Sequence, residues 1–417
     1  MGPIASRDDA TSVERIFREV SGRAVATLVR LFGDIALAED AVQDAFLVAS
    51  DRWRIDGIPP NPAGWIVTTA RNRAIDDLRR EARGRELHEQ RGALASTPPE
   101  DWAEDGPVTD DQLRLIFTCC HPALRSEHQV ALTMRLLGGL SVEEVARSFL
   151  VSESTMAKRL VRARYKIKAA RIPYRVPSHA DLPERLRAVL SVVYLIYNTG
   201  ADDQERASLR SEAIRLARAL VELMPDEPEV AGLLALMLLN DSRMPARFVD
   251  GNLVLLRDQD RRKWDRSLIE EGHTIVHALV RRDQPGAFQL QAAIQAVHCD
   301  SESFEATDWY QIVALYDHLF SLMPTPVVAL NRAIAMGELD GPAAALSALD
   351  EIAPDLDNYH LMHAARGATL HKLGQQDAAR AAFERAAGLA PTDADRRFLE
   401  RRIEELADLR IDSLPPL

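Results

Sequence analysis

Residues 140–167 read LSVEEVARSFLVSESTMAKRLVRARYKI, two short helical patterns joined by a three-residue break. Ser141 and Glu144 have capping-box spacing, so a first helix is expected to start there, with Val142, Val145, Ala146 and Phe149 as its buried stripe. Ser152 is placed to cap a second helix. On that helix Met156, Leu160, Ala163 and Ile167 share one face, while Thr155, Lys158, Arg159, Arg162 and Lys166 recur on the other. Five positive charges and no negative one follow Glu153 on this segment. The pattern predicts a helix-turn-helix, with the first helix bracing and the second offering its N-terminal half to the major groove. There Arg and Lys can bond guanine edges or neutralise phosphates. A basic face that is merely solvated is the competing reading. Leu150 stands where many such turns carry Gly, which disfavours a left-handed backbone at that point.

The rest of the chain is consistent with an all-α protein. Its 417 residues are 47% hydrophobic and only 6% aromatic, with Ala, Leu, Arg and Glu abundant. No apolar run reaches the roughly 18 residues of a membrane span, and no signal-peptide design opens the chain, so a cytoplasmic protein is expected. Only three cysteines occur, Cys119, Cys120 and Cys299, a usage that fits a reducing compartment. The net charge of −12 is unevenly shared: residues 1–180 carry 26 Lys+Arg against 25 Asp+Glu, and residues 181–417 carry 25 against 38. A nucleic acid, if bound, belongs to the first part.

Two further stretches carry chemistry. In DIALAEDAVQDAFLVASDRW (34–53) Ala38, Ala41, Val42, Ala45, Phe46 and Ala49 form an apolar stripe, and Asp40, Gln43 and Asp44 share the opposite face. In GWIVTTARNRAIDDLRR (64–80) Trp65, Ile66, Ala70, Ala74, Ile75 and Leu78 are the expected buried side, against a polar side of Arg71, Asn72, Arg73, Asp76, Arg79 and Arg80. Arginines can hold phosphates and stack on unpaired bases, and Asn can pair with a base edge. A solvated surface is again the plainer reading of the first of these helices.

Taken in order, the three stretches resemble regions 2.1–2.2, 2.3–2.4 and 4 of bacterial sigma-70-family transcription initiation factors, in particular the extracytoplasmic-function (ECF) group. The resemblance covers about residues 10–171. It implies that Asp40, Gln43 and Asp44 dock on a basic coiled coil of the polymerase β′ subunit. Arg71, Asn72, Arg73, Asp76, Arg79 and Arg80 would then hold the −10 element, with Asn61 in the proline-rich loop 54–64 lining a base pocket. Thr155, Lys158, Arg159 and Arg162 would read the −35 element. Core RNA polymerase, through its β′ and β subunits, and promoter DNA are the implied partners. No cofactor and no bond chemistry are expected.

The expected organisation is a four-helix-like region 2 over 10–91, an acidic linker over 92–109, region 4 over 110–171 and a helical extension over 184–417. The linker resembles the family polymer that threads the RNA-exit path; a simple tether explains it equally. In the extension four segments end alike, at Pro225, Pro324, Pro354 and Pro391. The best copy, residues 367–391, has Gly367, Gly374, Ala379, Phe383, Ala386 and Pro391 where a tetratricopeptide pattern wants small, small, small, aromatic, small and proline. Sigma factors with such an extension form a subset that this chain resembles, and the extension is expected to regulate the core or to bind a protein partner.

Other readings attach to single residues. His273 and His277 have ligand spacing but lack the HExxH glutamate, which favours core histidines. Cys119, Cys120 and His121 read as packing residues. An enzyme reading would rest on Tyr194, Tyr197, Asn198 and Trp264, where no nucleophile, base and oxyanion set is recognisable. A helix-turn-helix repressor with a ligand-binding extension would leave the 34–53 and 64–80 helices unexplained. Binding to core polymerase separates a sigma factor from both.

Overall fold

The computed structural model describes residues 7–88, 108–149, 151–201, 207–249 and 252–412. The linker read at 92–109 lies outside the described residues apart from its last two, and so does Leu150. Helices dominate, as the composition implied, and the described residues add one two-stranded antiparallel hairpin, β1 (Phe248–Val249) with β2 (Asn252–Leu253).

The chain packs as two compact units, residues 1–200 with 211–216, and residues 201–210 with 217–417. The first opens with α1 (Arg7–Phe32), α2 (Ile35–Asp56) and α3 (Pro62–His88), three helices where the sequence suggested a four-helix-like arrangement. Gly33, at φ +68°, makes the α1–α2 turn, and the Asp34 carboxylate caps α2 by accepting the Ala36 and Leu37 N–H groups. Phe17 meets Phe46 edge-on at 4.6 Å and Trp53 meets Trp65 at 5.4 Å, fastening α1 to α2 and α2 to α3. On α3, Ile66, Ala70 and Ala74 are buried, but Leu78 is 36% exposed. That corrects its expected place in the core.

Next come α4 (Val108–Cys119), α5 (Ser126–Leu136), α6 (Val142–Ser148) and α7 (Glu153–Ala169), followed by α8 (Leu182–Ala201) and α9 (Ala207–Leu223). Packing continues past the proline-rich stretch 172–183. Arg185 donates to the Phe117 carbonyl and Arg215 to the Leu137 carbonyl, both within the first unit. Cys119 and Cys120 are buried in α4 and its end, and Cys120 Sγ lies 3.5 Å from Thr133 Oγ1. They are packing residues, as read.

In the second unit α10 (Pro228–Asp241) is buried along nearly all its length, so it is apolar all round. After α11 (Met244–Arg247) and the hairpin come α12 (Arg266–Arg282) and α13 (Ala287–Asp300), both of which pack on α10 and on each other. Helices α14 (Trp309–Leu322), α15 (Pro326–Leu339), α16 (Pro342–Ile352), α17 (His360–Lys372), α18 (Gln376–Leu389) and α19 (Asp393–Asp412) then stack in succession. Proline punctuation is visible in them: α9, α14, α16 and α18 end at Leu223, Leu322, Ile352 and Leu389, each two residues before Pro225, Pro324, Pro354 or Pro391. The residue before a proline tends to leave the helical region, as Met323 and Ala390 do, whereas Ala353 before Pro354 stays helical and α16 runs on into a 3-10 turn, Ala353–Leu356. Ala379, Phe383 and Ala386 are buried as the repeat pattern required.

Candidate nucleic-acid interface

The helix-turn-helix forms as its residues dictate. Ser141 Oγ accepts the Glu144 N–H while the Glu144 carboxylate accepts the Ser141 N–H at 2.7 Å, completing the capping box of α6. Ser152 caps α7 by accepting the Thr155 N–H. Met156, Leu160, Ala163 and Ile167 are all buried, which turns the opposite side of α7 outward. There Thr155, Lys158, Arg162 and Lys166 are exposed.

Arg159 is different. Its side chain is only 20% exposed, lies over the Phe149 ring at 5.1 Å and pairs with Glu127 at 3.6 Å. A guanidinium so placed braces α7 against α5 and α6, and its charge also depresses the nearby His128, after the larger effect of burial. The Thr155 hydroxyl lies 2.8 Å from Ser152 Oγ, tying it to the cap.

On α3 the assigned side chains Arg71, Asn72, Arg73, Asp76, Arg79 and Arg80 are all exposed. Arg79 pairs with Asp76 at 3.8 Å and Arg80 with Asp77 at 2.8 Å, contacts open to water and therefore weak. Asn61 sits at the start of α3, and its Oδ1 accepts the Gly64 N–H at 2.9 Å. Capping α3 is thus one function it already performs.

On α2, Asp40 is exposed, while Gln43 and Asp44 are half-buried. Partial burial raises the Asp40 carboxyl above its ordinary value; repulsion by Glu39 and Asp44 adds to this, and Arg164 and Arg135 oppose it.

Sequence reading missed the residue beneath this trio. Glu39 is buried, and its Oε1 accepts from Arg135 Nε at 2.5 Å and from Gln43 Nε2 at 3.1 Å. Arg164 of α7 stands 3.4 Å from its Oε2. A signal was available: Glu39, Phe46 and Trp53 recur every seven residues, interleaved with Val42 and Ala49, so the acid lies on the buried stripe. A charge there calls for a buried partner elsewhere in the chain.

Comparison with known proteins agrees with this geometry. A model described as sigma-70 region 2 matches residues 16–84, one described as sigma-70, region 4 matches residues 114–167, and a family of unknown function, DUF6596, matches residues 185–280. An uncharacterised protein of Rhizobium meliloti (strain 1021) is 41% identical over 395 residues, 92% of this chain and 93% of that protein. The chain belongs to the sigma-70 family. The ECF RNA polymerase sigma factor SigK of Mycobacterium tuberculosis is 26% identical over 161 residues, 38% of this chain and 83% of SigK. This places the sigma factor with the ECF group and leaves its second unit without a counterpart there. The crystal structure of yeast Tom70 aligns with 98% of the sigma factor and 89% of its own chain, at 11% identity and a TM-score of 0.38.

The sigma factor's second unit holds a cavity of about 720 Å³ between α15, α17 and α19. Val327, Ile334 and Leu361, each more than 40% exposed, face it, and Glu338 at its edge pairs with both Arg257 and Lys372. Tyr197 and Trp264 are buried at 2% and 3% exposure, and none of Tyr194, Tyr197, Asn198 and Trp264 lines this cavity. His273 is half-buried but His277 is exposed, so the pair is not the two core histidines expected; their ring centroids are 6.1 Å apart, and the described residues contain no group of three side chains arranged to hold a metal ion. No helix among them is long and apolar enough to cross a membrane.

Proposed function

We propose that this sigma factor docks on core RNA polymerase through Asp40, Gln43 and Asp44, and directs it to promoters. In this reading α7 enters the major groove of the −35 element with Thr155, Lys158 and Arg162 at the bases and phosphates, Arg159 contributing from its braced position. The α3 surface of Arg71, Asn72, Arg73, Asp76, Arg79 and Arg80, with Asn61 at its head, holds the −10 element and the melted strand. The observation that carries the proposal is the pairing, in one unit, of a doubly capped helix-turn-helix exposing Lys158 and Arg162 with a second helix exposing four arginines. Run-off transcription from genomic promoter fragments with purified core polymerase tests it. Promoter-specific transcripts that need the chain are expected, and no association with core polymerase would overturn it.

The second unit, with its acid excess, regulates the core or recruits a protein partner in this reading. A chain ended after α9 keeps every residue of the first unit, whereas a cut at 172 would remove Tyr174 and Arg185 from their contacts. Identical promoter output from the full chain and the chain ended after α9 under all conditions would count against a regulatory role.

A further inference from the structure

We infer that the second unit holds a small-molecule site: the cavity between α15, α17 and α19 takes an elongated apolar molecule with one anionic head, an acyl carboxylate. The site lies wholly within the second unit and goes beyond the proposed function, so it is tested without polymerase or promoter DNA.

The cavity exists because of what α17 lacks. Ala364, Ala365 and Ala368 line it from the middle helix, and their methyl groups leave open the space that larger side chains would fill. Its floor is solid core, with Leu330, Ala345, Phe383 and Leu399 all buried. Val327 and Ile334 of α15 and Leu361 of α17 nevertheless stand 42%, 41% and 45% exposed along it. Apolar groups so placed favour a molecule that replaces the water over them. A volume of about 720 Å³ falls within the ~300–1,000 Å³ of ordinary small-molecule pockets. From Val327 to Glu338 the α15 wall rises about 16 Å at ~1.5 Å per residue, a length that suits an extended chain.

A peptide fits this space less well, because the groove is crossed. β2 packs on α19, and four residues after Leu253 the Arg257 Nη2 donates to Glu338 of α15 at 3.0 Å. The segment 253–258 thus reaches from one wall to the other, with Leu253 and Leu255 lining the cavity. It is pinned there: the Val254 N–H donates to the Arg247 carbonyl at 2.8 Å, and the Arg257 guanidinium lies over the Phe304 ring at 4.8 Å. An extended peptide needs an open channel for its backbone. A small molecule needs only a closed end.

The charges at that end select the head group. Lys372 Nζ donates to Glu338 Oε1 at 2.7 Å, the same oxygen that Arg257 uses. Two cations therefore share one carboxylate, and the cluster carries a net positive charge. A guanidinium has five N–H groups and an ammonium three, so donors remain for a second acid. Elsewhere on the lining Arg402 and Glu405 pair at 2.7 Å, Asp395 accepts from the Thr392 hydroxyl in the α19 cap, and Asp258 is exposed. A ligand carboxylate between Arg257 and Lys372 balances the cluster, while its chain runs along Ile334 and Leu361 toward Val327.

The test is calorimetric titration of the full chain with decanoate, decanol and decyltrimethylammonium, each kept below its micelle-forming concentration. Decanoate is expected to bind one to one and about tenfold more tightly than the cationic amphiphile. Ala368→Phe, from an exposed position that faces the cavity, should fill it and weaken decanoate about tenfold. Lys372→Gln should weaken decanoate several-fold and leave decanol unchanged; this side chain is 35% exposed, so the fold should tolerate the change. Anionic phospholipid vesicles present the same head from a surface and should not retain the chain. No binding of decanoate, binding indifferent to both substitutions, preference for the cation, or binding to vesicles alone would each overturn the site.

Discussion

Gly367 and Phe383 are in direct contact across α17 and α18: a Cβ on the glycine would stand 2.9 Å from ring atoms Cδ1 and Cε1. The ring is buried and packed with Ala379, Ala382 and Ala386, so it has little room to yield. Gly367→Ala should therefore lower the stability of the second unit by about 1–3 kcal/mol, the usual result of overpacking. Gly388, in the same α18, has open space around its would-be Cβ. Its replacement by Ala should stabilise by about 0.5–1 kcal/mol, because the helix penalty of glycine is removed without a clash. Chemical denaturation of the two variants checks both signs.

Arg162 and Arg159 separate binding from bracing. Arg162 is exposed, and Arg162→Ala should weaken promoter binding, reduce its salt slope by about one and leave stability within about 0.5 kcal/mol. Arg159→Ala loses the Phe149 ring and the Glu127 contact, and should cost about 0.5–1.5 kcal/mol of stability as well as affinity. Thermal melts beside promoter titrations over a range of salt distinguish the two.

Removing the Ser141 hydroxyl opens one half of the capping box. Ser141→Ala should cost about 1 kcal/mol, and more by hydrogen exchange at the start of α6 than at α2.

His298 gives the second unit an acid-sensitive element. Burial, with Arg243 and Arg261 adding to it, pushes the imidazole down from 6.5 to about 3. The folded state therefore binds this proton more weakly than the unfolded chain. Its contribution to stability is fully present above about pH 6.5 and is lost as pH falls from there toward 3, at up to about 1.4 kcal/mol per pH unit. His298→Gln should flatten that part of the stability profile, as measured by denaturation at a series of pH values.

The three thiols should be silent in the native protein. Burial raises Cys119, Cys120 and Cys299 above the ordinary thiol value, Cys120 to about 11, so the reactive thiolate is scarce as well as inaccessible. A thiol reagent at neutral pH should react with none of them until denaturant is added. Rapid native modification would show that these helices open readily.

Much of this molecule is local in origin. The capping box at Ser141, the Met156–Ile167 stripe and the helix stops before Pro225, Pro324, Pro354 and Pro391 depend on residues within a few positions of one another, so the sequence alone identifies them. The same holds for the outward display of Lys158, Arg162 and the α3 arginines, because burying one face of a helix exposes the other. The misreading of Leu78 shows the limit: periodicity tells which side is apolar, not how far a neighbouring helix extends to cover it.

Tertiary structure alone decided which cations remain available and which are spent on the fold. Arg159 and Arg162 look alike along the chain, yet one is held over Phe149 and the other stands in water. Glu39 and Asp40 are adjacent, yet one is clasped by arginines 96 and 125 positions away in sequence (135 − 39 and 164 − 39) and the other meets solvent. An ion pair requires two helices to meet at one depth of burial, and that meeting is fixed by packing across the whole unit, which no local pattern encodes.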